Sequence, residues 1–203
     1  MMVAFFSGGG LMMIPLAGCA VFATFSIFER FFYYRTVSAQ DRTLKAALQD
    51  LLVRRDWTAA KTACDEAATP LAQVLKKVLE SRAMSEQTIR ELAEVELNAV
   101  LPRLERFVPA LGTIAQVSTL LGLLGTVLGN IKAFGLLGSG GAMGDPALLA
   151  GAIAQALFTT AAGLAVSIPA IVFHTYYNTK VERIAADAES FASGLIFTIT
   201  RGL

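Results

Sequence analysis

The chain has 203 residues, 55% of them apolar and 16% charged, with a formal net charge of +1 and a mean hydropathy of +0.58. That mix is too apolar and too poor in charge for one water-soluble domain, and it excludes disorder, a collagen-like fold and nucleic-acid binding through a basic surface. Charges are absent from residues 2–28, 107–131 and 146–179, each stretch longer than the roughly 20 residues a helix needs to cross hydrocarbon. The composition therefore predicts an all-α integral membrane protein with three transmembrane helices.

In chain order, residues 1–10 form a short outer segment and 11–34 the first span. Pro15 falls in its first turns, where a missing donor does least harm. No Lys or Arg precedes this span and its apolar stretch is longer than the core of a cleavable signal, so it reads as retained. At its far end Glu29, Arg30 and Arg35 surround Phe31, Phe32, Tyr33 and Tyr34, a basic and aromatic belt suited to a headgroup boundary. Residues 35–106 predict a helical domain in water. Its helix starts are Asp41 before Leu44 and Leu48, Asp56 before Trp57, and Thr69-Pro70 before Leu71 and Val74.

From Ser85 a helical pattern of Ile89, Ala93, Leu97, Val100, Leu104 and Val108 runs into the second span, 107–135. This predicts one long helix, bent rather than broken at Pro102 and Pro109. Gly135, Gly138, Gly140, Gly141 and Gly144 mark an outer loop at 136–147, and Asp145 and Pro146 restart the helix. The third span follows at 148–178, with Pro169 as a kink, and a C-terminal helix at 179–203. Arg30, Arg35, the basic residues from Arg42 to Arg106, and Lys180, Arg183 and Arg201 fall on one side of these spans, and only Lys132 falls near the other. The positive-inside rule then puts the N-terminus and the 136–147 loop outside, and 36–106 and the C-terminus in the cytoplasm. Cys19 lies in a span and Cys64 in the cytoplasmic part, so they do not pair. No nucleophile–base pair, phosphate loop or metal-spaced cluster is present, which predicts no enzyme, no metal and no cofactor.

The second and third spans are not the uniform Leu, Ile, Val and Phe expected against lipid alone. Gly112, Ala115, Ser118, Gly122, Gly125 and Gly129 make one stripe, with Thr119, Thr126 and Asn130 beside it. Ala152, Ala156, Thr159, Thr160, Gly163, Ser167 and Ala170 make another, with Gln155 one turn before Thr159. Small residues at this spacing let helix backbones approach closely, which makes Gly122, Gly125, Gly129 and Gly163 packing residues. The polar side chains are costly in lipid unless they face a partner or water. Two readings are open for them: interhelical hydrogen bonds worth about 0.6 kcal/mol each, or the lining of an ion path by Thr126, Thr160, Gln155, Thr159, Thr119 and Asn130. No Asp or Glu lies in any span, so a mid-membrane carboxylate has to come from another chain. His174 reads as a satisfied interfacial imidazole and Lys132 as a snorkelling cation.

Leu120-Leu121-Gly122-Leu123-Leu124-Gly125-Thr126-Val127, then Asp145-Pro146, then the run from Ala154-Gln155-Ala156 through Phe158-Thr159-Thr160-Ala161-Ala162-Gly163 to Ser167-Ile168-Pro169-Ala170 resemble the ExbB/TolQ/MotA family of proton-channel motor subunits. The ExbB and TolQ branch, with three spans, is the nearer; the MotA branch has four. The resemblance implies a homo-oligomeric inner-membrane ring, pentameric in the ExbB case, around a pair of ExbD- or TolR-like single-span partners that carry the intramembrane aspartate. It implies that Thr126 and Thr160 line the inner wall near that aspartate. It also implies work passed through the partner to an envelope component, by way of a TonB-like protein in TonB-dependent outer-membrane transport, or to envelope integrity in the TolQ branch. A passive channel and a structural membrane scaffold are the competing classes. Two positions depart from the family pattern: Gln155 stands where many members have a glutamate, and Thr119 where a proline often stands. A proton-carrying role is therefore not transferred to Gln155.

Overall fold

The structure, a computed structural model, describes residues 10–138 and 146–201. After a 3₁₀ turn at Gly10–Met12 come α1 (Met13–Val53), α2 (Trp57–Ala67), α3 (Pro70–Glu80), α4 (Glu86–Leu104), α5 (Val108–Gly138) and α6 (Pro146–Arg201), so every described element is helical. Three of these helices, α1, α5 and α6, are long and apolar enough to cross a membrane.

Several boundaries differ from those the sequence predicts. α1 runs unbroken through residue 34 and through Asp41, which is not a helix start. No Gly or Pro stands between Gly18 and Val53 to stop it, and α1 ends where Arg55 takes a φ of 56°. The long helix expected from Ser85 into the second span is two helices. Phe107, at φ 65°, separates α4 from α5. Pro109 gives the reason: in a continuous helix it would have no N–H to offer the Glu105 carbonyl and its ring would press on that carbonyl, whereas in the first turn of a new helix neither matters. Gly135 and Gly138 lie within α5 rather than in a loop, while Gly140, Gly141, Gly144 and Asp145 fall outside the described residues. α6 starts at Pro146, carries Pro169 inside it and continues past 178, so the C-terminal segment is not a separate helix.

The chain divides into two units, Met1–Phe28 with Phe107–Thr175, and Glu29–Arg106 with Tyr176–Leu203. The second unit has the core of a small soluble domain. Leu44 and Leu48 of α1, Ala60 and Cys64 of α2, Leu71, Val74, Leu75 and Val78 of α3, Ile89 and Ala93 of α4, and Ala188, Leu195, Ile196 and Ile199 of α6 form one buried cluster. Its short helices begin at local caps. Asp56 accepts from the Ala59 amide at 3.0 Å, Thr69 from Ala72 at 3.1 Å and Ser85 from Thr88 at 3.2 Å, each satisfying one of the donors a helix start leaves free. Ion pairs Lys61–Glu80 (2.8 Å) and Asp65–Lys76 (2.5 Å) tie α2 to α3 at the surface, where such pairs contribute little.

Of the aromatic and basic belt of this unit, Arg30 and Tyr34 are buried, while Phe31, Phe32 and Arg35 are exposed. Arg30 is 2% exposed; its guanidinium donates to the Arg103 and Leu104 carbonyls at 3.2 and 3.3 Å and pairs with Glu29. Tyr34 donates to the Leu104 carbonyl at 2.6 Å. Those carbonyls end α4 and have no helical partner, so Arg30 and Tyr34, one turn apart on α1, cap α4 from outside. A cation there also faces the negative end of the helix dipole.

In the first unit Met13 and Leu16 of α1 pack with Ala162 of α6, flanked by Leu121 and Phe158. Phe107 stands edge-on to Phe22 and Phe25, each 6.1 Å away between ring centres. α5 and α6 meet along a seam of small residues. Outside it Leu120, Leu123, Val127, Ile131 and Phe134 of α5 and Leu157, Leu164, Ile168 and Ile171 of α6 are exposed. A water-soluble surface does not carry this much contiguous apolar area; lipid or other membrane helices cover it.

Candidate functional site

The seam repeats every three and four residues: Leu111, Ala115, Ser118, Gly122, Gly125, Gly129 and Ala133 are buried on α5, and Ala152, Ala156, Thr159, Gly163, Ser167 and Ala170 on α6. An alternation of three and four keeps one face of a helix turned to its neighbour. The glycines bring the backbones together. A Cβ placed on Gly163 would lie 2.6 Å from the Ser118 carbonyl oxygen and 2.9 Å from Gly122 Cα, and one on Gly122 would lie 3.3 Å from the Cα atoms of Gly163 and Thr160. Gly125 faces Thr159, whose Cβ would be 2.6 Å from an added methyl, and Gly129 faces Ala156. An added methyl would thus clash at Gly125, Gly129 and Gly163 and be tight at Gly122.

Polar contacts cross the seam at four levels. Lys132 donates to Gln155 Oε1 at 3.3 Å. Thr160 donates to the Gly122 carbonyl at 2.8 Å. The Thr119 hydroxyl lies 2.8 Å from Ser167 Oγ and 3.0 Å from the Ala115 carbonyl. His174 Nδ1 lies 2.8 Å from the Val108 carbonyl; since a carbonyl only accepts, Nδ1 carries the proton there. The pairing of falling α5 numbers with rising α6 numbers is that of two antiparallel helices.

The six polar residues singled out from the sequence thus separate into three kinds. Thr119, Thr160 and Gln155 bond across the seam. Thr126 and Asn130 do not: Thr126 donates to the Leu123 carbonyl of its own helix at 2.6 Å, and Asn130 is exposed. Each follows a seam glycine by one residue, about 100° round the helix, which sets Thr126 and Asn130 at the seam's edge. Thr159 is 1% exposed, wedged against Gly125 and donating to the Gln155 carbonyl at 2.9 Å. Its side chain is packed between the two helices. Ser118, beside it in the seam, is fully buried and its hydroxyl has no hydrogen-bond partner among the described residues.

No Asp or Glu lies in α5 or in residues 146–179 of α6, and no group of three His, Cys, Asp or Glu residues among the described ones could hold a metal ion. Between Lys132 and His174 the seam offers hydroxyls and an amide, which hydrogen-bond water or a carboxyl group of either protonation state, and backbone carbonyls, which accept only; none of these titrates. In the second unit, Arg30 and Tyr34 are what the sequence did not single out as caps of α4. Their i, i+4 spacing puts both on one face of α1, but the carbonyls they bind lie 70 and more residues away.

The description of the MotA/TolQ/ExbB proton channel family matches residues 66–190, a stretch that takes in α5 and most of α6. Among similar proteins, one designated ExbB-like 1 from Synechocystis sp. is 35% identical over 176 residues, 82% of this chain and 66% of that protein. The Tol-Pal system protein TolQ of Haemophilus influenzae is 37% identical over 109 residues, 54% of this chain and 47% of TolQ. The biopolymer transport protein ExbB of Neisseria gonorrhoeae is 28% identical over 166 residues, 75% of this chain and 74% of ExbB. The chain thus spans about two thirds of the first relative and half of the second. With the seam and its motifs in the matched stretch, the chain belongs to the MotA/TolQ/ExbB proton channel family.

Proposed function

We propose that this protein is an ExbB/TolQ-like subunit of an inner-membrane motor driven by the proton motive force. It assembles as a homo-oligomer, a pentameric ring, around a dimer of an ExbD/TolR-like single-span partner, with its N-terminus in the periplasm and its C-terminus in the cytoplasm. The observation that carries this reading is the pairing of hydroxyl and amide groups at the edge of the α5–α6 seam with spans that hold no carboxylate of their own. In the proposed cycle the partner's aspartate takes a proton from outside while it faces Thr126 and Thr160. It then moves past the ring and releases the proton to the cytoplasm. Each proton supplies roughly 2.3 kcal/mol per 100 mV, too little to strand a bare carboxylate in lipid but sufficient to bias steps along a polar wall. Thr126, Thr160 and Asn130 act as the wall, with Gln155 and Thr119 at its ends, and the work reaches a TonB-like protein and TonB-dependent outer-membrane transport. Envelope integrity of the TolQ kind is the second reading, favoured by the TolQ match.

The test is co-purification with the products of neighbouring genes, followed by native mass and by proton flux in proteoliposomes. The reading expects several copies of this chain with fewer copies of a one-span protein bearing an intramembrane Asp. It also expects Thr126→Val to keep that mass and lose coupled flux. A homo-oligomer with no such partner, or full flux in Thr126→Val, overturns it in favour of a passive channel or scaffold.

A further inference from the structure

In the second unit, α1 and α6 lie side by side where two charge-free stretches, 2–28 and 146–179, come to an end. Between them runs a groove of about 340 Å³ lined by Phe31, Tyr34 and Arg35 from one helix and Tyr176, Tyr177 and Lys180 from the other. This volume is within the range of ordinary ligand sites. Tyr34 and Tyr177 are buried, with ring centres 5.4 Å apart, and form the floor; the Tyr34 hydroxyl is anchored on the Leu104 carbonyl. Phe31 and Tyr176 stand exposed at its sides. Arg35 and Lys180 reach it from opposite helices, and neither has an ion-pair partner among the described residues. A second groove shares Ser38 and Lys180 with the first and adds Arg42, Lys45 and Arg183 against Asp41 and Asp187. Lys45 is already paired with Asp187, so cations remain in excess along the whole trough.

We propose that this trough is a binding site for an anionic phospholipid, with the phosphate between Arg35 and Lys180 and the glycerol and upper acyl carbons against Phe31 and Tyr176. Two cations on separate helices match a phosphodiester, which has two unesterified oxygens to share. Exposed aromatic rings beside those cations suit a ligand that is apolar on one side and charged on the other. A free phosphate would make no use of the rings. A second copy of this chain seated in the trough would have to bring carboxylates to it. The lipid site does not depend on the proposed motor activity.

The full-length chain, with whatever membrane subunits co-purify, is stripped of lipid in detergent and incubated with mixed dioleoyl-phosphatidylcholine and dioleoyl-phosphatidylglycerol. The lipid retained after gel filtration is counted by mass spectrometry. Each basic residue at an anionic surface contributes about five-fold to binding, so Arg35→Gln/Lys180→Gln should lower retained phosphatidylglycerol about 25-fold. Arg82→Gln, an exposed cation outside the trough, should leave it unchanged. The exchange Arg35→Lys/Lys180→Arg, which keeps both charges, should retain wild-type levels. If the double Gln variant does not fold, wild type in 1 M salt, where the Debye length falls to about 3 Å, should release phosphatidylglycerol and keep phosphatidylcholine. Equal retention by the double Gln variant overturns the site. So does displacement by 10 mM inorganic phosphate, which would make it a free-anion site, or wild type with no preference for phosphatidylglycerol, which would leave the trough to a second copy.

Discussion

Replacing Gly163 by alanine tests the seam directly, because an added methyl there meets only backbone. Its Cβ would lie 2.6 Å from the Ser118 carbonyl oxygen, 2.9 Å from Gly122 Cα and 3.2 Å from Gly122 N. No rotamer change relieves contacts with backbone atoms, so the helices must separate by about 0.6–0.8 Å to restore ordinary van der Waals distance. Overpacking of this kind costs about 1–3 kcal/mol. The same movement would stretch the Thr160–Gly122 hydrogen bond from 2.8 Å towards the limit at which such bonds cease to count, losing about 0.6 kcal/mol more. Alanine gains about 0.5–1 kcal/mol over glycine inside a helix, so the net cost is about 1–3 kcal/mol. On the scaling for chains of this length that lowers Tm by about 2–12 °C. Gly151, on the same helix, is the internal control, since a Cβ there meets nothing within 4 Å. Gly151→Ala should leave Tm unchanged or raise it. Thermal unfolding of both variants in one detergent, followed by fluorescence-detected gel filtration, measures the pair. A Gly163→Ala protein as stable as Gly151→Ala would refute the close approach of α5 and α6.

Ser118→Ala should be neutral or stabilising by about 1 kcal/mol in the same assay, because it removes a buried hydroxyl that has no partner and leaves a residue of seam size; a clear loss would mean the hydroxyl is satisfied in the assembled protein. Arg30→Met should cost about 2–3 kcal/mol by stripping the Arg103 and Leu104 carbonyls of a charged donor, and an unchanged Tm would remove Arg30 from the support of α4. Burial, with a smaller push from Asp65, raises the Cys64 thiol to about 11, so at pH 8 iodoacetamide should label it about 90-fold more slowly in the folded than in the denatured protein. Because this folded value lies above the unfolded one, the contribution to stability is whole below about pH 9. It falls between about pH 9 and 11, where the unfolded chain has lost the proton and the folded chain still holds it.

What could be read from the sequence was what short-range physics decides. Thr69-Pro70 and Asp56 cap helices because a hydroxyl or carboxylate two or three residues from a free amide needs no help from the rest of the chain. The same signature failed at Asp41, since a cap acts only where the helix has a reason to begin, and α1 contains nothing that interrupts it there. Pro109 was visible as a disturbance, but whether it bends or breaks the helix depends on Phe107 entering the left-handed region, a conformation an aromatic residue rarely adopts. The small and polar stripes of the two spans were plain as composition. Which member faced which was not, because a stripe read on one helix leaves its rotation against the neighbour undetermined. Thr159 and Thr160 are adjacent in sequence, yet one is sealed against Gly125 and the other bonds the Gly122 carbonyl. Arg30 looked like a headgroup anchor for the same reason, as its partners are distant in the chain.

The stiffness of the seam bears on how the proposed motor would work. A proton crossing 100 mV releases roughly 2.3 kcal/mol, and forcing α5 from α6 at the Gly163 contact alone costs an energy of that order. Close contacts recur at Gly122, Gly125 and Gly129, so separating the pair would consume several protons before any work was delivered. Over a cycle the two helices must then move as one body, and Thr126 and Thr160 keep fixed positions relative to each other. Motion is left to surfaces without interlocked backbones, which are the ones carrying Leu120, Leu123, Val127 and Leu164. A disulfide engineered across the seam should accordingly leave coupled proton flux intact, and its loss on oxidation, restored by reduction, would show that the pair itself must open.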